Sequence, residues 1–300
     1  MFMRIDKLQI ELPKNVEPDP AAAAAIQELL GGRFGEMSTL NNYMFQSFNM
    51  RGRDKIRPFY ELVASITAEE FGHVELVSAT INLLLNNATD GKETNPNKAP
   101  LSSALEPDVK NLHQLLINGN SARAADAMDM PWTGNNVFNS GDIVLDTLHN
   151  FFLESGARAH KMRCYETTTN PVARRMMGYL VVRGGVHQAA YAKALEELTG
   201  VSVTKMLPIP QISNKLFDET REFEEMGLHR VLYQFSPEDY KNLGAIWHGE
   251  HYEDGLPLEV REGTPEGGPL ADLTEAPSSG VPGFAPEELA ELSQRLMKNL

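Results

Sequence analysis

Four long segments of the chain repeat their apolar residues at intervals of three, four and seven, which is the period of one face of an α-helix. These segments span roughly residues 21–48, 58–87, 141–166 and 171–199. Asn170 suits the N-cap of the last segment, Pro171 its first helical position and Gly200 its C-terminal cap. The hydrophobic pattern therefore predicts an all-α core built from four long helices.

The lengths of the links between these segments predict how the helices connect. Short links join the first helix to the second and the third to the fourth, so each pair is expected to form an antiparallel hairpin. Residues 88–140 join the second helix to the third, are rich in Asn, Pro and Gly, and contain one predicted short helix near 107–117. Four helices with one long crossover make up the ferritin-like four-helix bundle.

Both ends of the chain differ from the helical middle. Residues 3–12 alternate apolar and polar side chains, which predicts a short strand or an extended arm. Residues 201–300 hold nine of the 18 prolines and nine of the 23 glycines, so mostly irregular structure is expected before a terminal helix at 286. This gives an N-terminal extended segment (1–20), a bundle domain (21–200) and a C-terminal arm (201–300). Composition leaves open whether the arm is partly disordered or wraps a neighbouring subunit.

Charge and cysteine content exclude several classes of function. The net charge of −14 argues against nucleic acid and anionic membranes as partners. Cys164 is the single cysteine, so an internal disulfide, a thiolate zinc site and an iron–sulfur cluster are all excluded. The N-terminal residues lack the apolar run of a signal peptide, and no stretch is as long as a membrane span, so a cytoplasmic protein is expected.

Five ionisable residues lie in the apolar stripes of the four predicted helices, where charged groups are costly unless they are compensated. They are Glu36, Glu70, His73, Glu154 and His187. Glu70 and His73 are three residues apart, so their side chains can reach one point. Three carboxylates and two imidazoles that converge from four helices fit a pair of metal ions. The absence of sulfur ligands favours manganese or iron over a structural zinc.

Other polar groups give weaker signals. Asp146 and His149 repeat the acid-x-x-His spacing, but His149 lies five residues before Glu154 and so points away from that stripe. We interpret them as a structural pair. The His- and Glu-rich stretch 248–253 is interpreted as a solvated surface loop. The Gly pair at 184–185 lacks a dinucleotide-binding pattern and instead indicates a close approach of helices.

Several longer stretches carry a family resemblance. They read LGGRFGEMSTL (30–40), EEFGH (69–73), HNFFLE (149–154), RGGVH (183–187) and SPEDY (236–240). In these stretches and in residues 1–12, the chain resembles the manganese catalases, which are non-haem enzymes with a dinuclear manganese centre in a ferritin-like bundle. The resemblance covers nearly the whole chain.

The resemblance implies a role for each of the five residues. Glu36 and His73 would bind one manganese ion, Glu154 and His187 would bind the other, and Glu70 would bridge the two. Bridging water, hydroxide or oxo ligands would complete the centre. The implied reaction is the disproportionation of hydrogen peroxide to water and dioxygen, with the centre cycling between two Mn(II) and two Mn(III).

Residues next to the ligands indicate a branch of the family. One branch has an Arg immediately before the third-helix ligand, paired with a Glu three residues before the final His; here these positions are Leu153 and Gly184. This chain resembles the other branch, in which a Lys seven residues after that ligand takes part, and Lys161 occupies this position. Tyr43 is a second candidate for a residue that contacts the ligands. The resemblance also implies a homohexamer whose C-terminal arms contact neighbouring subunits. It does not decide whether a structural calcium ion is bound.

Two other classes of protein share this pattern of residues. A ferritin-like metal-storage protein would need a metal entry path and a shell-like assembly, which the proline-rich arm does not suggest. A di-iron oxidase would usually carry a second Glu-x-x-His on the fourth helix, and Gly184 removes that Glu.

Overall fold

The computed structural model describes residues 6–89, 111–274 and 285–300. The helices are α1 (Pro20–Gly31), α2 (Glu36–Asn49), α3 (Arg57–Leu85), α4 (Leu112–Leu116), α5 (Ile143–Tyr165), α6 (Pro171–Thr199), α7 (Arg221–Glu225) and α8 (Pro286–Met297). Two strands, β1 (Val231–Gln234) and β2 (Glu259–Glu262), pair in parallel, with Val231 opposite Glu259. Short 3-10 turns lie at Gly134–Asn136, Thr204–Met206, Pro210–Ile212, Asn214–Leu216, Asp218–Thr220, Leu228–Arg230 and Leu243–Ala245.

Three of the four predicted long helices are confirmed, as α3, α5 and α6. Capping explains where α5 and α6 begin and end. Asp142 accepts a hydrogen bond from the N–H of Leu145 at the start of α5, and the Asn170 side chain accepts from the first N–H groups of α6. Gly200 ends α6 with a φ of 72°, a left-handed conformation that favours glycine. The predicted helix near 107–117 is seen as α4, and its part before residue 111 lies outside the described residues.

The prediction of one continuous first helix over 21–48 is wrong, because the chain leaves the helix between α1 and α2. Gly32 and Gly35 have extended backbone conformations. A Cβ atom at Gly35 would lie 2.7 Å from the carbonyl oxygen of Leu29, so the turn needs glycine. The apolar period continues through the break, which is why the sequence pattern does not reveal it. As a result, Glu36 is the first residue of α2.

Two apolar clusters fill the bundle and leave a polar layer between them. One contains Leu76, Val77 and Ile81 of α3 with Met176, Leu180 and Val182 of α6. The other contains Leu62, Val63 and Ile66 of α3 with Val186, Tyr191 and Leu195 of α6. Five of the buried ionisable residues of these two helices lie at the boundary between the clusters: Glu69, Glu70, His73, Arg183 and His187. Close-packed apolar side chains therefore keep water from both sides of this layer.

The N-terminal segment is extended and held against the bundle. Its described part, from residue 6, forms no strand, yet Leu8, Ile10 and Leu12 are buried. The N–H of Leu8 donates to the carbonyl oxygen of Gly268 at 2.8 Å, and the side chain of Gln9 donates to the backbone oxygen of Glu69 at 2.8 Å. Of the two sequence alternatives, the extended arm fits these described residues.

Residues 201–274 pack against α3 and α6 and contain more regular structure than their composition predicts. The pairing of β1 with β2 is absent from the sequence prediction. Phe217, Phe223 and Leu232 are buried, and the indole N–H of buried Trp247 donates to the backbone oxygens of Arg230 and Glu259. These residues are therefore an ordered part of the fold. Contact with a neighbouring subunit stays a prediction.

Gly267 tests the docking of the N-terminal segment, because a Cβ atom there would overlap the carbonyl oxygen of Leu8. We expect Gly267→Ala to lower the free energy of unfolding by about 1–3 kcal/mol, as overpacking does. Denaturant unfolding measures the change. Gly244→Ala is the matched control, since a Cβ atom at Gly244 meets nothing within 4 Å. Equal stabilities of the two variants would contradict the prediction.

Candidate metal centre

The structure brings all five sequence-predicted ligand residues together in the polar layer of the bundle. Each is at most 1% exposed, and each comes from the predicted segment: Glu36 from α2, Glu70 and His73 from α3, Glu154 from α5, and His187 from α6. Their burial excludes simple solvation as the explanation for five ionisable groups. The contacts among them therefore decide what the cluster can do.

Glu70 lies between the two imidazoles. Its Oε2 is 3.2 Å from Nδ1 of His73, and its Oε1 is 2.7 Å from Nδ1 of His187. The two imidazole rings are stacked with their centroids 5.6 Å apart. One potential ligand atom from each of Glu70, His73 and His187 lies within 4.8 Å of the others. A carboxylate in this position can share its two oxygens between two neighbouring cations.

The two outer carboxylates flank this arrangement on opposite sides. Oε2 of Glu36 is 3.6 Å from Nδ1 of His73, and Oε1 of Glu154 is 3.6 Å from Nδ1 of His187. Each imidazole nitrogen that approaches Glu70 therefore also approaches one further carboxylate. The cluster thus contains two similar carboxylate–imidazole pairs with Glu70 between them.

Lys161 and Tyr43 contact the outer carboxylates. Nζ of Lys161 is 2.8 Å from Oε1 of Glu36, and the Tyr43 hydroxyl donates to Oε1 of Glu154 at 2.7 Å. Burial alone would lower the pKa of Lys161, but Glu36 and Glu154 raise it above its usual value, so the ammonium group stays charged. Burial and the Glu154 carboxylate raise the pKa of Tyr43 well above its usual value, so the phenol remains a donor.

Sequence reasoning missed a buried ion pair behind the imidazoles. Oε2 of Glu69 is 3.1 Å from Nε2 of His187 and accepts a hydrogen bond of 3.0 Å from Nη2 of Arg183. Burial opposes the charge on Glu69, but Arg183 and His187 hold the pKa of its carboxyl well below its usual range. An ionised carboxylate on the outer nitrogen of an imidazole fixes the ring and its tautomer, as is common at metal sites. Thr39 was missed as well; its hydroxyl donates to Oε2 of Glu70 at 2.7 Å.

The charges of the cluster fit bound cations. Lys161 pairs with Glu36 and Arg183 pairs with Glu69, but among the described residues neither Glu70 nor Glu154 forms an ion pair with Lys or Arg. Burial would lower the pKa of His73, yet Glu70 and Glu36 raise it to about 9. Burial likewise opposes the charge on His187, but Glu69, Glu154 and Glu70 raise its pKa well above the usual value. The buried carboxylates therefore favour positive charge at this site. Divalent metal ions would supply that charge, and they bind well to carboxylate oxygens and imidazole nitrogens.

Two weaker sequence predictions lie outside this cluster. The Asp146 carboxylate accepts hydrogen bonds from Ser140, while His149 stacks on Phe138 with ring centroids 4.6 Å apart. Neither residue contacts the five clustered residues in the described structure. The close approach predicted at the Gly pair is seen at Gly185, where a Cβ atom would lie 2.6 Å from Nη1 of Arg158. At Gly184 a Cβ atom would meet Oε2 of Glu154 at 3.5 Å, which is an ordinary contact distance. Leu153 is part of the buried apolar core.

Comparisons with known proteins identify the family. The family model described as manganese containing catalase matches residues 1–299. A manganese catalase of Bacillus subtilis is 32% identical over 280 residues, covering 92% of this chain and 96% of that protein. A manganese catalase of Lactiplantibacillus plantarum is 32% identical over 268 residues, covering 87% of this chain and 91% of that protein.

A solved structure supports the fold independently. KatB, a manganese catalase from Anabaena, aligns with a TM-score of 0.55 at 22% identity, covering 87% of this chain and 98% of that one. The helical ferritin-like architecture is therefore confirmed. The chain belongs to the manganese-containing catalase family. Within the described ranges, no helix has the length and apolar character needed to cross a membrane.

Glu69 tests how far the cluster depends on the ion pair behind it. We expect Glu69→Gln to cost about 3–5 kcal/mol of stability, because it leaves the Arg183 guanidinium buried without its carboxylate. Manganese affinity should fall by about 10- to 100-fold, because His187 loses its orienting partner. Denaturant unfolding and competition with a metal chelator measure the two effects.

Glu61→Gln is the matched control for Glu69→Gln. Glu61 is also buried on α3, but it pairs with Arg57 and Asn242. This variant should lose stability while keeping its manganese affinity. If Glu69→Gln kept its full manganese affinity, the role assigned to Glu69 would be wrong.

Proposed function

We propose that this chain disproportionates hydrogen peroxide to water and dioxygen at two manganese ions held in the polar layer of the bundle. The observation that carries the proposal is the position of Glu70 between two carboxylate–imidazole pairs, 3.2 Å from one imidazole nitrogen and 2.7 Å from the other. Family membership supplies the metal and the substrate class.

The ligand assignment follows the contacts. Glu36 and His73 would hold one manganese ion, Glu154 and His187 the other, and Glu70 would bridge them. Oxygen and imidazole donors without thiolate suit manganese. The bound manganese pair supplies two-electron redox chemistry between two Mn(II) and two Mn(III), which matches the two electrons gained or lost by each peroxide molecule.

The remaining residues of the cluster keep this site rigid and dry. Lys161 holds Glu36 and places a permanent positive charge where anionic peroxide would otherwise be disfavoured by the carboxylates. Tyr43 donates a hydrogen bond to one oxygen of Glu154, and Thr39 donates one to an oxygen of Glu70, so both carboxylates are held in place. The apolar clusters on both sides exclude water, which strengthens each of these electrostatic contacts.

Broader properties of the protein are proposed from the family resemblance. We expect a cytoplasmic homohexamer that protects against peroxide, with the C-terminal arm contacting neighbouring subunits. The family resemblance also allows a structural calcium ion in addition to manganese. Light scattering after size-exclusion chromatography measures the oligomeric state, and elemental analysis of the purified protein measures calcium.

The activity is tested by the stoichiometry of the reaction. The manganese-loaded protein should evolve one dioxygen for every two hydrogen peroxide molecules consumed, with cyanide present to silence contaminating haem catalases. An oxygen electrode and a peroxide assay follow both quantities together. Removal of manganese should abolish the reaction, and its return should restore it. Peroxide loss without dioxygen would refute the catalase assignment and would favour a peroxidase or a ferroxidase-like metal protein instead.

Lys161 tests the electrostatic part of the proposal. We expect Lys161→Met to lower kcat by about 10- to 100-fold while the protein keeps its manganese, because the charge beside Glu36 is lost and the metal ligands are not. Lys193→Met, which removes an exposed contact to the backbone oxygen of His248, is the control and should retain full activity. Unchanged kcat in Lys161→Met, with manganese content confirmed by elemental analysis, would show that Lys161 has no part in turnover.

A further inference from the structure

A second group of metal-ligating side chains lies in the C-terminal third of the chain. Nε2 of His229 is 2.8 Å from Oδ2 of Asp254, and Nδ1 of His251 is 3.4 Å from Oδ1 of the same carboxylate. One potential ligand atom from each of the three residues lies within 4.8 Å of the other two. The interpretation of 248–253 as a solvated loop is therefore wrong for His251, which is 7% exposed.

Strand pairing creates this juxtaposition. His229 lies two residues before β1, and the parallel register of β1 with β2 places it beside the segment that leads into β2. The 251–256 turn closes on itself, since the N–H of His251 donates to the Leu256 oxygen at 2.8 Å. The N–H of Leu256 in turn donates to Oδ1 of Asp254 at 3.0 Å, which orients the carboxylate. The three side chains are thus held by regular backbone contacts.

Burial and charge leave these groups ready to bind a cation. His229 is 8% exposed, and its Nε2 faces Asp254, so this nitrogen is the candidate ligand atom. Nδ1 of His251 accepts a long hydrogen bond of 3.4 Å from the N–H of Glu253, which a bound ion would replace. Burial and the neighbouring His229 lower the pKa of His251 to about 4, so this imidazole is neutral at pH 7. Burial opposes ionisation of Asp254, but its contact with His229 helps to keep the carboxyl pKa below its usual value. A neutral imidazole beside an ionised carboxylate is the form that binds metals.

We propose that His229, His251 and Asp254 form a second metal site, distinct from the manganese centre, for a divalent transition-metal ion of the zinc type. Two imidazoles and one carboxylate are a common zinc ligand set, and they leave a fourth position for water. A surface pocket of about 340 Å³ adjoins the three residues and provides space for that water. The ion would take the place of the proton shared between His229 and Asp254. It would tie the 251–256 turn to the residues before β1.

Arg230 opposes cation binding and so provides a sharp test. Its Nε lies 3.5 Å from Oδ2 of Asp254, and its Nη1 donates to the backbone oxygen of Pro257 at 3.3 Å. The positive charge should weaken the binding of a divalent ion. Removing this charge should therefore tighten binding, an effect that a purely structural cluster would not predict.

The experiment titrates the manganese-loaded, full-length protein with Zn²⁺ by isothermal calorimetry and follows both metals by elemental analysis. We expect one Zn²⁺ to bind per chain without loss of manganese, and the thermal midpoint of unfolding to rise. Asp254→Asn should weaken binding by about tenfold or more, since it removes the charged ligand of a site whose metal affinity depends on it. Arg230→Gln should tighten binding about threefold or more.

Glu253→Gln is the control, because Glu253 lines the same pocket and is not one of the three ligands. The Glu253 carboxylate interacts electrostatically with His251, so this variant should weaken Zn²⁺ binding, but far less than Asp254→Asn does, because no ligand is lost. The 254 side chain is 30% exposed, so Asp254→Asn is expected to fold, and circular dichroism checks this. Zn²⁺ uptake accounted for entirely by manganese loss, no saturable binding, or equal affinity in Asp254→Asn would each overturn the proposal. None of these outcomes depends on peroxide turnover, so the test is independent of the proposed activity.

Discussion

The constraint on which the rest of the structure depends is the negative charge in one dry layer of the bundle. Four carboxylates are buried there: Glu36, Glu69, Glu70 and Glu154. Lys161 and Arg183 each pair with one of them, and the other two contact imidazoles. Buried charge of this kind needs compensating positive charge and hydrogen bonds, so the proposed metal ions would stabilise this layer. The apolar clusters on both sides stabilise the bundle, and by excluding water they also strengthen the electrostatic interactions of the charges in the layer.

Much of this layer could be predicted from the sequence, because helical periodicity fixes which side chains share a face. The five predicted ligand residues come together for that reason. Sequence reasoning missed Glu69 because it lies one residue before Glu70 and so off the apolar stripe that contains Glu70 and His73. A signal was present all the same: Arg183 precedes His187 by four residues, and Glu69 precedes His73 by four, so each lies one turn from an imidazole. A buried Arg–Glu pair one turn behind two histidines is a pattern that periodicity can reveal.

The parts that could not be predicted depend on contacts between residues distant in sequence. The break between α1 and α2 leaves the apolar period intact and is visible only in the extended conformations of Gly32 and Gly35. The pairing of β1 with β2 joins segments that have no periodicity of their own. The burial of His251 was not predicted for the same reason, since nothing local indicates that His229 lies beside His251 and Asp254. Composition alone describes residues 201–274 poorly, because their order comes from packing against α3 and α6.

Residues 228–231 are connected to the candidate metal centre through Arg183. Nη1 of Arg183 donates to the backbone oxygens of Leu228 and Val231, at 2.6 and 2.8 Å. Nη2 of the same guanidinium donates to Oε2 of Glu69. Glu69 in turn contacts His187, so the backbone at 228–231 helps to fix a predicted metal ligand through two intervening side chains. His229 lies within that same backbone segment and contacts Asp254 from it. Residues 228–231 therefore contact the candidate metal centre through Arg183 and Glu69, and they also carry His229 of the second group of ligands.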